Sequence, residues 1–357
     1  MGAERLQLVL EQLALRPRAR RKFARAEQMY FTRKLLEQST DESIARYKSA
    51  RFPRDVCVAD LCVGLGGDLL GLGERGPVVA VDLDPLAIRL ARANCRACGL
   101  TQVDFVLADA ATFPVDACVA WHIDPDRREQ GRRSAQPDCG QPGPDVLQQL
   151  IARQSSASIK LAPAAIAPPS WQTEAELEWI GTRRECRQQV AWFGTLARQP
   201  GLHCAAVIDN RGHVATLCGS PDSEIPLADS LQPYVYEPHA SVLAAHLTQE
   251  LAGKYGLAAV APGIAYLTGT QRIDSALVAG FAVLDVLPLD RKRLRAWLRT
   301  RRIGRLEIKV RGALVDPQAL RQQLHVSGDG AVTLLIMGTP QRVSVIAADR
   351  LEAAARS

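Results

Sequence analysis

VCVADLCVGLGGDLLGL, residues 56–72, decides how the rest of the chain is read. Apolar residues alternate into glycines at 64, 66 and 67, and the chain then returns straight to leucines. A period of two that passes through a side-chain-free turn into a Leu-rich run marks the junction of a strand and a helix. Glycine permits the tight turn and lets a ligand approach the backbone, where the N–H groups of the new helix point at whatever sits there. Asp60 precedes the glycines and Asp68 follows them. A dinucleotide fingerprint GxGxxG would need glycine at position 69, where Leu69 stands, and this weakens the pyrophosphate reading.

Outward from this junction the pattern repeats. PVVAVDLD, VDFVLAD, ACVAWHID and ASIKLAP read as strands, and PLAIRLARANCRACGL reads as a helix between the first two. That alternation predicts a parallel sheet wrapped by helices. CAAVIDNRGHVATLCG, residues 204–219, reads as two strands about a turn at Asn210–Gly212, an antiparallel finish to the sheet. Before the sheet, LQLVLEQLAL and ARAEQMYFTRKLLEQ carry helical spacing on either side of the basic stretch RPRARRKFAR. Residues 126–145, DRREQGRRSAQPDCGQPGPD, have no periodicity and read as a long loop, functional or disordered. After SPDSEIPLADS, residues 220–230, the pattern restarts. FAVLDVLP is a strand, DRKRLRAWLRT a helix capped by Asp290, RLEIKVRG a strand, Asp316-Pro317 opens a second helix, and AVTLLIMG with QRVSVIA closes a hairpin. The expected division is a helical region at 1–50, a nucleotide-type domain at 51–222, a connecting helical segment at 223–280 and a small α/β domain at 281–350.

Asp82 ends the second strand, roughly twenty residues past the glycines, where a carboxylate can accept hydrogen bonds from both ribose hydroxyls. Asp109 ends the third strand and Asp124 the fourth, whereas Asp84 before Pro85 is read as a helix cap. In a parallel sheet these ends share one rim, so the acids and the glycine turn converge on one crevice. A glycine turn, a ribose acceptor and further carboxylates suit a nucleoside that carries a cation, and S-adenosylmethionine is that molecule.

DLCVGLGGD resembles the first motif of class I S-adenosylmethionine-dependent methyltransferases, and VDLDP and LADA resemble their second and third. The resemblance implies a Rossmann-like α/β sheet in which Gly64, Gly66 and Gly67 line the methionine moiety, Asp60 contacts its end, Asp82 holds the ribose and Asp109 lies near the adenine amino group. TRKLLEQST, HIDPDRRE, SIKLAP, YVYEPHASV and RIGRLEIKVRGALVDPQALRQQL extend it over nearly the whole chain, to bacterial methyltransferases with a C-terminal THUMP-like domain. THUMP domains bind RNA, so the resemblance implies an RNA substrate. Enzymes that methylate an exocyclic amine end the fourth strand in Asp/Asn-Pro-Pro-aromatic. Here Asp124 and Pro125 match, while Asp126 and Arg127 replace the second proline and the aromatic. An arginine plane can stack on a base or hold a phosphate. The implied catalytic set is Asp124, Pro125 and Arg127, with Arg128, Arg132 and Arg133 beside the substrate; the competing reading makes Asp124 a structural ion-pair partner of nearby arginines. A catalytically silent, cofactor-binding RNA-binding protein and a methyltransferase of a protein or small molecule are the alternatives.

The rest of the composition narrows the setting. A chain of 357 residues, 47% of them hydrophobic, is long enough for two cores. No apolar run approaches the roughly 20 residues of a membrane helix and the start lacks a secretory pattern, so a cytoplasmic enzyme without a membrane partner is expected. Nine cysteines scattered through apolar segments read as small buried hydrophobes, and Cys95 with Cys98 lacks a second pair at zinc spacing, so no metal is expected. The net charge of +6 is nearly all arginine excess. Arg305, Glu307, Lys309 and Arg311 share one face of their strand, and Lys309 and Arg311 are candidate phosphate contacts if the basic helix 291–300 faces the same way; the alternative is a solvated face. Trp297 is assigned to the core side of that helix.

Overall fold

The computed structural model describes residues 3–352 other than 126–127, 130–131, 134–141, 184, 222–223 and 339–342. The chain divides into two compact units, residues 1–182 with 186–213, and residues 183–185 with 214–357. Among the described residues, no helix is long and apolar enough to cross a membrane.

The first unit opens with α1 (Ala3–Ala19), α2 (Arg33–Gln38) and α3 (Glu42–Ser49). The helix expected across ARAEQMYFTRKLLEQ forms only over α2. Upstream, Phe23, Met29 and Phe31 are buried at intervals that no helix face supplies, and Thr32 accepts from Leu35 N to start α2. These anchors, with Leu36 and Ile44, join the same core as Val58, Leu69 and Val78, so residues 1–50 share the core of the sheet.

The strands follow as β1 (Val58–Leu61), β2 (Val78–Asp82), β3 (Val103–Leu107) and β4 (Ala120–Ile123), with helices α4 (Gly67–Gly73) after β1 and α5 (Pro85–Cys98) after β2. Two short pieces, β5 (Arg128–Glu129) and β6 (Arg132–Arg133), pair antiparallel. Then come α6 (Pro144–Arg153), β7 (Ala157–Leu161), α7 (Trp171–Glu174), β8 (Glu176–Thr182), β9 (Glu185–Trp192) and β10 (His203–Ile208). Within this unit the strand order is β10-β8-β9-β7-β4-β1-β2-β3. β1 pairs parallel with both β2 and β4, β2 with β3, β4 with β7, and β10 with β8. β9 pairs antiparallel with β7. The two strands read at 204–219 are present, over 203–208 and 214–219, about a turn in which Asp209 N donates to the His213 carbonyl at 2.9 Å, while ELEWIGT and ECRQQVAW are strands that the sequence reading does not single out. Helices cover both faces, and accordingly every residue of β1, β4 and β7 is buried. The chain reverses its direction of travel across the sheet between β1 and β4, and the carboxyl ends of those two strands mark the switch point where ligands of such sheets bind.

The second unit holds β11 (Val214–Gly219), β12 (Tyr234–Pro238), α8 (Ala240–Ala244), α9 (Thr248–Tyr255), β13 (Ala258–Ala259), β14 (Leu267–Gly269) and β15 (Val278–Pro288). It continues with α10 (Arg291–Thr300), β16 (Ile303–Arg311), α11 (Pro317–Leu324), β17 (Gly330–Gly338) and β18 (Val343–Arg350). Its sheet runs β13-β14-β12-β15-β18-β17-β16. The segment 223–280, expected to be a helical connector, therefore contributes three strands to this sheet. Strand β12 pairs along β15 from Tyr234↔Ala282 to Pro238↔Val278. Asp290 and Asp316 cap α10 and α11 as expected, accepting from Arg293 N at 2.7 Å and Gln318 N at 2.8 Å.

Candidate functional site

A cavity of about 1060 Å³ opens at the carboxyl ends of the first unit's strands. Its walls include Asp60, Gly64, Gly67, Asp82, Asp109, Asp124 and Pro125, so the cofactor candidates other than Gly66 converge there with Asp124 and Pro125. Gly66 is not among the lining residues. Its φ of 94° makes it the left-handed turn that starts α4, packed against Leu69 and Ala91. Gly64 also has a left-handed φ of 57° and donates its N–H to Asp82 Oδ2 at 2.9 Å. Gly67 is bare for a different reason. A Cβ there would stand 3.0 Å from both N and O of Thr40, so the glycine lets the N-terminal segment lie directly on α4.

Asp82 Oδ1 accepts from Asp84 N at 2.9 Å, which with the Gly64 bond fixes the carboxylate at the mouth of the turn. Burial raises its pKa above the ordinary value against the pull of those N–H donors. Asp84 caps α5 through Leu86 N at 2.8 Å, the role read for it from Asp-Pro. Asp109 accepts from Ala111 N at 2.9 Å and orders the turn after β3. Asp60 is 2% exposed and its Oδ2 has no hydrogen-bond partner among the described residues. Burial, reinforced by the nearby Asp68 carboxylate, pushes its pKa well up, and the side chain faces the cavity as an unfulfilled acceptor or donor.

Several residues that the sequence reading left without a role complete the site. Asp68 forms a buried ion pair with Lys48 at 2.6 Å, accepts from Thr40 Oγ1 at 2.7 Å and lies 3.3 Å from His122 Nε2. Burial alone would raise Asp68, but Lys48 and then His122 outweigh it and hold the carboxyl well below its ordinary range. His122 Nδ1 faces Ser158, 3.1 Å from the carbonyl and 3.0 Å from the hydroxyl. Lys160 on β7 reaches Asp124 Oδ2 at 2.5 Å and the Gln38 carbonyl at 3.3 Å. The ion pair foreseen as the alternative role of Asp124 thus exists, with lysine in place of arginine. Lys34, Leu35, Gln38 and Thr40 form the opposite wall of the cavity. The signals were present in TRKLLEQST and SIKLAP, but they acquire meaning only when the fold brings them to Asp68 and Asp124.

Arg127 lies outside the described residues. Arg128, Arg132 and Arg133 have their backbone in the β5–β6 pair. Lys309 and Arg311, in the second unit, both bind Glu237 of β12, Arg311 at 2.8 Å. Helix α10 packs Leu294, Trp297 and Leu298 onto the Leu306 face of the sheet, whereas the strand neighbours of Lys309 and Arg311, Leu335 and Met337, belong to the core on the other face. The basic helix and the strand lysine and arginine therefore face opposite ways, contrary to the condition for one shared phosphate-tracking surface. Trp297 is on the core side as read, with its Nε1 bonded to Asp285 Oδ2 at 2.8 Å.

The donor set fits S-adenosylmethionine. The glycine turn is open at Gly64, where the nearest atom to an added Cβ is 3.8 Å away, a buried unpartnered carboxyl faces the cavity, and the volume exceeds what a small ligand needs. Comparison with known proteins agrees. A family model described as THUMP domain-like matches residues 278–350, the segment from β15 through β18. A solved structure from Porphyromonas gingivalis W83, assigned as a methyltransferase, superposes over 99% of this chain and 92% of its own with a TM-score of 0.83 at 21% identity, which shows a common fold. S-adenosylmethionine-dependent methyltransferases of Mycobacterium tuberculosis, strains CDC 1551 / Oshkosh and ATCC 25618 / H37Rv, are 31% identical over 312 residues, 87% of this chain and 84% of theirs. With this similarity over nearly the full length, the chain belongs to the S-adenosylmethionine-dependent methyltransferases.

Proposed function

We propose that the acceptor of the methyl group is RNA, at a nucleobase or its exocyclic amine. The observation that carries this reading is α10 of the THUMP-like segment. Leu294, Trp297 and Leu298 are buried beneath it, while Arg291, Lys292, Arg293, Arg295 and Arg299, with Arg301 and Arg302 just beyond, are exposed. Seven cations on one short exposed element suit a phosphate backbone.

In the first unit Asp82 would hold the ribose hydroxyls of the cofactor, Gly64 and Gly67 would leave room for its methionine portion, Asp60 would meet the end of that portion, and Asp109 would lie at the adenine edge. S-adenosylmethionine, when bound, supplies a methyl carbon made electrophilic by its sulfonium. Asp124 and the Pro125 backbone accept the acceptor's hydrogens and aim its lone pair along the line of displacement, so that catalysis is chiefly alignment and exclusion of water. Asp124 Oδ1 would take the acceptor's departing proton and pass it to solvent. Arg127 and Arg128, with Arg132 and Arg133, would hold the substrate.

Nucleoside mass spectrometry of RNA from cells with and without the gene tests the reading. One modified nucleoside that vanishes with the gene is expected, and identical nucleoside profiles would contradict it. Asp124→Ala should abolish transfer while leaving cofactor affinity nearly intact; normal turnover in that variant removes Asp124 from the mechanism. A wild-type protein that binds RNA yet transfers no label from tritiated S-adenosylmethionine would instead be a silent binder.

A further inference from the structure

We propose that Lys160 is a positioning residue of the methyl-transfer site, holding Asp124 toward the acceptor and cancelling its charge, so that the site takes a neutral hydrogen-bond donor and not a cation. The inference rests on the reading of Asp124 given above and narrows its acceptor class.

Register makes the pair. β4 and β7 run parallel with Ile123 opposite Ile159, so the next residue on each strand, Asp124 and Lys160, meet at the rim of the cavity. Lys160 is 8% exposed, and its ammonium bridges Asp124 Oδ2 at 2.5 Å and the Gln38 carbonyl at 3.3 Å. One cation therefore ties the carboxylate after β4 to the N-terminal wall of the cavity. Asp124 Oδ1 accepts no hydrogen bond among the described residues, which leaves that oxygen for the acceptor. Among the described residues Lys160 is the side-chain partner that fixes the rotamer of Asp124, and alignment is what an in-line displacement depends on.

Charge decides the class of acceptor. The crevice looks acidic in sequence, but three of its acids are compensated. Asp68 is paired with buried Lys48, Asp124 with Lys160, and burial disfavours the ionised form of Asp60. An ammonium group entering here would meet a carboxylate already engaged and a lysine of its own sign, with Lys48 behind it. A neutral N–H or O–H donor, such as a nucleoside amine or hydroxyl, meets an oriented acceptor oxygen at no such cost.

The test compares wild type, Lys160→Met and Lys160→Arg in transfer of tritiated methyl to total RNA from a strain lacking the gene, with calorimetry on S-adenosylhomocysteine. Lys160→Met should lose about 100-fold in kcat while its S-adenosylhomocysteine affinity stays within about twofold, and Lys160→Arg should recover at least about a tenth of wild-type turnover. Near-normal turnover of Lys160→Met, an equal loss of S-adenosylhomocysteine affinity, or an arginine variant no better than methionine overturns the inference, as does label on a polypeptide amine. Wild-type protein that labels no RNA sinks the RNA reading instead. The crystal structure of Lys160→Met then decides the positioning role without any acceptor: Asp124 turned out of its wild-type rotamer supports it, and Asp124 in place overturns it.

Discussion

At Gly67 the absence of one methyl group lets two segments meet, since a Cβ there would stand 3.0 Å from the Thr40 backbone, which cannot swing aside as a side chain would. Gly67→Ala should therefore cost about 1–3 kcal/mol of stability, read as a lower melting temperature; an unchanged melt would show that the segment yields. His122 gives a pH prediction. Burial, then Lys48, pushes its imidazole below the ordinary value of 6.5. Above about pH 6.5 neither folded nor unfolded chain protonates it. Below that, the unfolded chain gains a proton that the folded one refuses, so this group makes stability fall as pH drops, by up to about 1.4 kcal/mol per pH unit. Urea denaturation from about pH 7 to about pH 5 should show a shallower loss for His122→Asn than for wild type; equal slopes would contradict the assignment. Which residues the sequence could reveal follows from distance along the chain. Asp84 was legible because a cap and its helix are adjacent, and Asp82 and Asp124 because they stand at strand ends. Thr40 bonds to Asp68, 28 residues away, and Lys160 to Gln38, 122 away, and no local pattern announces such pairs.

The N-terminal elements act as a wall only because they are pinned. Lys22 Nζ donates to the carbonyls of Leu36 at 2.9 Å, Glu37 at 3.2 Å and Ser39 at 2.6 Å, closing the end of α2 beside the cavity. Lys22→Met should cost about 2 kcal/mol and speed amide exchange across residues 33–41 in hydrogen–deuterium exchange. Unchanged protection there would mean that the wall is held by its apolar anchors alone. Elements with strong local periodicity were readable, as in β1 to β4, α5, and the β15-α10-β16-α11-β17-β18 run. Those that depend on partners were not. YVYEP becomes β12 because it pairs along β15, and the aromatic residues around Met29 are set by the core they enter, not by a helical repeat.

On the scale of the molecule, one unit holds the cavity and the other the cationic helix α10. If α10 tracks phosphates, RNA affinity should fall linearly in log salt. Replacing Arg291, Lys292 and Arg299 with alanine should then lower that slope by about 2; a variant with the wild-type slope would move the RNA footprint elsewhere. The class of fold and the location of the cavity were legible from the glycine turn and the acids that follow it, whereas the opposed faces of α10 and Lys309 were not, because sequence fixes alternation along a strand but not which face a helix covers. The claim beneath the whole account is that Asp82, fixed by the Gly64 and Asp84 amides, holds the cofactor in this cavity. Calorimetric titration of S-adenosylhomocysteine into wild type and Asp82→Ala tests it most directly. The account predicts a single site in wild type and at least about tenfold weaker binding in the variant. No heat in wild type, or equal affinity in both, would contradict it.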